Sequence, residues 1–161
     1  MLKPRSALEG KAKFEMAGLA LSEAPDFTLT QIAGDEKSLK KIFGKLPEFG
    51  VAKNNVLRIA PAQFWVLGDV PEAKNCFVTP LSSSRTRILV EGKQAAMLLQ
   101  ACAAIDFSAM KPDDFVMTGM HHVPVLVQCL GANKFHVYVM RTFALSIWDW
   151  LVDASEGLAH A

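Results

Sequence analysis

The chain is short of almost everything that announces chemistry. It has three cysteines among 161 residues, Cys76, Cys102 and Cys129. An odd number in no CxxC spacing argues against a secreted disulfide framework and against a thiolate metal knuckle. They read as free thiols in a reducing cytoplasm. Neither GxGxxG nor GxxxxGK[ST] occurs, so both glycine patterns that gather backbone amides around a phosphate are missing. Charge of one sign is missing too: 17 basic against 16 acidic residues leave a formal charge of +1, which makes no electrostatic case for nucleic acid or an anionic membrane. No apolar run approaches the length needed to cross a bilayer. The opening "MLKPRSALEGKAKFEMAGLALSEA" is interrupted by Glu9 and Glu15 before its apolar part is long enough for a secretion signal. The expectation is a cytoplasmic protein, neither anchored nor bound to nucleic acid.

What the chain does have is apolar side chains: 51% of residues are hydrophobic and 20% charged, a greasier balance than an ordinary soluble domain shows. Some of that surface is expected to face another protein. Residues 1–25 keep no steady period and are punctuated by Pro4, Gly10, Gly18 and Pro25, which reads as an arm, mobile or draped on a partner. Residues 26–161 read as a single α+β domain. Within it, Asp26–Ala33, Val56–Ala60 and Phe64–Leu67 read as strands, and "GDEKSLKKIFGKL" as a turn with one or two turns of helix.

The signals strengthen from Cys76 onward. Arg85–Glu91 alternates with Thr86, Ile88 and Val90 on one face, Gly92 breaks it, and Gln94–Ile105 repeats Ala95, Leu98, Cys102 and Ile105 at helical spacing. Strands follow over Asp113–Gly119 and Val123–Leu130. A hairpin at "GANK" then leads into Phe135–Met140, with Phe135, Val137 and Val139 turned inward. Thr142 reads as the N-cap of a last helix running to about Ser155. Strand, helix, three strands, helix is the order of a ferredoxin-like α+β sandwich, whose helices cover one face of a mainly antiparallel sheet. The other face still needs a cover. In the last helix Thr142, Ser146, Asp149 and Asp153 form one narrow polar stripe, and the apolar surface, Trp148 and Trp150 included, is wider than contact with one sheet requires. Burial under the N-terminal segment and burial against another chain are both open.

The reactive residue types fall into no working arrangement. Ser82–Ser84 lack an elbow and an adjacent histidine, and read as the turn into a strand. Gly92 stands alone and reads as a connector. His121 and His122 are neighbours that would face opposite ways along a strand, with no further ligand at a useful spacing. His136 lies on the face opposite Phe135 and Val137, at a solvent-side or interface position. Arg85, Arg87 and Arg141 are the best recognition candidates, because guanidinium grips carboxylates in bidentate fashion. Surface ion pairs account for them equally well.

The blocks "LSSSRTRILVEGKQAAMLLQACAAIDFSAM", "HVPVLVQ" and "FHVYVMRTFALSIWDWLVDA" resemble the gamma subunit family of heterotetrameric sarcosine oxidase over about Pro80–Ala154. The resemblance implies a fold related to part of the folate-binding domain of aminomethyltransferases. It also implies a structural, non-catalytic role beside larger subunits, which together oxidatively demethylate an N-methyl amino acid and pass the one-carbon unit to tetrahydrofolate. FAD, FMN, NAD, tetrahydrofolate and zinc are then expected on the partner subunits, and none on this chain. It transfers no catalytic, cofactor-binding or metal-ligating residue. The contact with the larger subunits is expected through Trp148, Trp150 and the helix at 142–155, and the isolated chain is a candidate homodimer. The alternatives are a stand-alone module holding folate or a small carboxylate through Arg85 or Arg141, and a homodimeric regulatory domain.

Overall fold

The computed structural model describes residues 5–11 and 13–160. Alternation in the strands decides how its layers stack. A six-stranded antiparallel sheet is built from β1 (Lys13–Met16), β2 (Leu19–Glu23), β7 (Arg85–Glu91), β8 (Phe115–Met120), β9 (Val123–Gly131) and β10 (Lys134–Met140). Their spatial order is β1-β2-β7-β10-β9-β8. Ile88, Val90, Val125, Val127, Phe135, Val137 and Val139 all point to one face and are buried there. Against them lie α2 (Ala95–Cys102) and α3 (Ala144–Ala159). These contribute Leu98 and Leu99 from α2, and Ile147, Trp148 and Leu151 from α3. Burying such side chains stabilises the fold by about 1.5–3 kcal/mol each.

The second face is covered by another sheet. β3 (Leu29–Ala33), β4 (Val56–Ala60), β5 (Gln63–Leu67) and β6 (Phe77–Pro80) pair antiparallel in the order β4-β5-β3-β6. Odd positions such as Leu29, Leu57 and Trp65 pack on Phe115, Leu126 and Tyr138 of the large sheet. Even positions Ile32, Phe64 and Val66 turn the other way, onto Leu39 of α1 (Glu36–Phe43). Asp35 starts α1, its side chain accepting the Ser38 backbone N–H at 3.0 Å and the Ser38 hydroxyl at 2.8 Å. The layers run helices, sheet, sheet, helix: an α+β architecture with the expected antiparallel core and a second sheet as its cover. Ser82 couples the two sheets, because its hydroxyl accepts the Leu29 N–H at 2.9 Å and faces the Leu29 carbonyl at 3.3 Å. Ser82–Ser84 form a 3-10 turn into β7.

Four expectations give way to the structure. The arm expected over residues 1–25 is folded from Lys13 to Glu23, where β1 and β2 make a hairpin whose second strand pairs with β7. Leu8, Leu19 and Leu21 are buried in the main core, while residues 1–4 and 12 lie outside the described residues. Backbone pairing with β7 supplies what weak periodicity did not advertise. The helix expected to reach Ile105 ends at Cys102, and Asp106 then caps a 3-10 turn over Phe107–Ala109. The last helix begins at Ala144 after a 3-10 turn at Arg141–Phe143, so Thr142 is no N-cap, and it continues past Ser155 to Ala159. His121 and His122 are not strand residues. Their φ values of 47° and 64° make them the two-residue hairpin loop between β8 and β9.

Candidate functional site

The polar residues of the molecule converge where the two sheets part. β7 presents Arg87 to the inter-sheet face, β10 presents His136 and Tyr138, and β9 presents Gln128, each at the parity opposite its core-facing valines. With Phe27 and Asp26 from the β2–β3 connection they line an open cleft of about 350 Å³. Arg87 is fixed in place. Its Nε donates to the Ala24 carbonyl at 3.1 Å, its Nη2 donates to the Asp26 carbonyl at 3.0 Å, and the guanidinium carbon lies 4.6 Å from the centre of the Phe27 ring. Tyr138 is 2% exposed, stands edge-on to Phe27 at 5.9 Å, and donates a long hydrogen bond of 3.4 Å to Gln128 Oε1. Burial, helped by the nearby charges of Arg87 and Lys134, holds the His136 imidazole neutral down to about pH 4. Burial also pushes the Tyr138 phenol up. His136 therefore sits at a half-buried inter-sheet position, and sequence parity placed it on the correct face without revealing what that face meets.

A second cleft, of about 360 Å³, lies beside it and shares Asp26 and Phe27. It brings together two of the three arginines singled out in the sequence, Arg85 and Arg141, with Arg5, Ser82 and Ser83. Glu23 and Asp26 also line it, so its positive charge is opposed. Arg85 leans over Trp65 at 5.6 Å, and burial lowers its pKa. Arg141 donates to the Arg5 carbonyl.

The remaining candidates stay apart. The His121 ring stacks on Trp150 at 4.4 Å and is 6.2 Å from the His122 ring. Among the described residues no group of three His, Cys, Asp or Glu side chains could share a metal ion. The three cysteines are free, and burial raises all three thiols, Cys102 to about 11, which removes nucleophilic character at neutral pH. Gly92 is more than a connector. Its φ is +118°, and a Cβ there would come within 2.3 Å of the Gly18 carbonyl oxygen. The N-terminal hairpin crosses so close that only glycine fits.

The tryptophans of α3 divide as their two-residue spacing requires. Trp148 is 3% exposed and faces the main core, so it is withdrawn as a partner contact. Trp150 is half-buried under His121, and its indole N–H is buried without a well-formed hydrogen bond among the described residues. The apolar groups that reach the surface include Phe143 at 41% and Leu145 at 47% around the start of α3, Phe77 at 79% on the edge strand β6, and Phe49, Met97 and Met117 elsewhere. No helix among the described residues is long and apolar enough to cross a membrane.

Layers and strand order define an α+β fold of two antiparallel sheets flanked by helices, and solved structures share it. The chain is similar to the glycine cleavage system aminomethyltransferase T of Bartonella henselae at 14% identity and TM-score 0.62, covering 91% of this chain and 47% of that one. It is similar over a greater extent to a chain of the heterotetrameric sarcosine oxidase of Corynebacterium sp. U-96, solved in complex with pyrrole 2-carboxylate. That likeness has TM-score 0.82 and 21% identity, and covers 98% of this chain and 97% of the other. No family model and no curated protein matches the sequence.

Proposed function

We propose that this chain is a non-catalytic, gamma-like subunit of a sarcosine oxidase-type complex. In that complex an N-methyl amino acid is oxidatively demethylated and its one-carbon unit passes to tetrahydrofolate. The larger subunits hold the flavins, NAD, folate and zinc, and this chain is a scaffold against which they assemble in the cytoplasm. The observation that carries the reading is extent: the likeness to a chain of a heterotetrameric sarcosine oxidase runs over 98% of this chain and 97% of that one, so a whole subunit is matched and not a fragment of a larger enzyme. The likeness to the aminomethyltransferase covers 47% of that chain. Exposed Phe143, Leu145 and Phe77 supply apolar surface for contact with larger chains, in place of the deeply buried Trp148.

Affinity purification of the tagged chain at native expression level tests the reading. A large flavin-coloured partner should co-purify and oxidise sarcosine or another N-methyl amino acid. Recovery of a lone, flavin-free chain would contradict it.

A further inference from the structure

The inter-sheet cleft is furnished for a ligand that the subunit role does not call on. We propose that it binds a small, flat monocarboxylate, anchored by Arg87 and capped by the Phe27 ring.

The anchor is prepared in advance. A guanidinium has five N–H donors. Arg87 gives two of its hydrogen bonds to the Ala24 and Asp26 carbonyls, and among the described residues it pairs with no carboxylate in an ion pair. Its plane is fixed by those carbonyls and by Phe27, so little side-chain entropy remains to be lost when a carboxylate docks. Around it the polar groups are loosely held: the Tyr138 hydroxyl lies within hydrogen-bonding reach of Arg87 and makes a long 3.4 Å bond to Gln128, and both residues are buried, Gln128 at 6% exposure. Buried polar atoms with long bonds are the natural complement of an incoming acceptor.

Charge and shape narrow the ligand. Arg87 is the single cation lining the cleft, His136 is held neutral, and Asp26 is its one carboxylate. One negative charge is matched, and a second would face Asp26 unpaired. Phe27, Leu67, Leu130 and the edge of Tyr138 form the walls, so the body of the ligand is apolar and flat.

Titration of the full chain with benzoate, followed by the NMR signals of the Arg87 Nε–H and the His136 ring, is the test. Saturable shifts are expected, and the His136 titration midpoint should rise from about 4 when benzoate is bound, because an anion beside the ring favours its protonated form and the coupling is reciprocal. Benzamide, of the same shape without the charge, should leave both signals unmoved. R87Q and R87K should each weaken benzoate at least about tenfold, Y138F less so, and R85Q not at all. Inorganic phosphate should compete poorly. Should R87Q fail to fold, Y138F and the benzamide comparison still decide. An unsaturable response, retention of affinity in R87K, or phosphate displacing benzoate would overturn the assignment.

Discussion

At the residue scale, His136 shows how a side chain that pattern alone leaves without a role acquires one from its surroundings. Strand alternation put it opposite Phe135 and Val137, and the cover of that face by a second sheet leaves it half-buried. The folded chain keeps the ring neutral down to about pH 4, against an ordinary value of 6.5, so between these limits the unfolded chain binds more protons. Stability is therefore full above about pH 6.5 and is lost as pH falls toward 4, by on the order of 2 kcal/mol, since the ring keeps some contact with solvent. Urea titrations across that window should show the decline, and H136Q should flatten the part of it due to this residue. Gly92 makes the opposite kind of point. Its glycine was legible as a break after β7, but the reason for it, the passage of Gly18 across its Cα, involves a segment 74 positions away in sequence and leaves no local mark. G92A should cost about 2 kcal/mol or more, through positive-φ strain and the clash with the Gly18 carbonyl, read as a lowered urea midpoint.

Among the elements, the strongly patterned ones were legible and the weakly patterned ones were not, for a physical reason. β7, β9 and β10 occupy the middle of a sheet and bury a face along their whole length, so alternation is imposed on them. The hairpin of β1 and β2 lies at the sheet's margin. Its strands are only four and five residues long, β1 has no fully buried residue, and its glycines look like linker punctuation, although Leu19 and Leu21 are both core residues. β6 was missed on the same grounds, being a four-residue edge strand exposed throughout. The hairpin's contribution can be measured. Leu21 is fully buried, so L21A should lower stability by about 2–5 kcal/mol, whereas an arm free of the sheet would tolerate the change within about 0.5 kcal/mol. Amide exchange should agree: the Ala24 N–H donates to the Arg87 carbonyl at 2.8 Å, the same alternation turns the Ser22 amide toward Leu89 of β7, and both should exchange far more slowly than the Asp26 and Thr28 amides of the connection that follows.

For the molecule as a whole, the apolar excess in the sequence turns out to be spent mostly inside. Two sheets flanked by helices on both sides give three clusters of buried side chains, and the second sheet supplies the cover that the sandwich order left wanting. Trp148 and most of the broad apolar girth of α3 go into the largest of these clusters, so the girth itself is no measure of partner surface. What is left over lies at several places, Phe49, Met97 and Met117 among them, and includes Phe77 on the edge strand β6 and Phe143 and Leu145 at the start of α3. Truncation of these should separate assembly from folding. L145D and F77D remove apolar contact from exposed positions and should change the urea midpoint of the isolated chain by no more than about 0.5 kcal/mol. If either patch is seated on a larger subunit, the charge it then buries should weaken co-purification by tenfold or more. W148A should do the reverse, lowering stability by about 3–5 kcal/mol, with any loss of assembly following from unfolding and reversing at lower temperature. Quantitative pull-downs of the three variants alongside their unfolding curves check this. Full co-purification by both aspartate variants would place the partner on another surface, with the covered β-sandwich inside it unchanged.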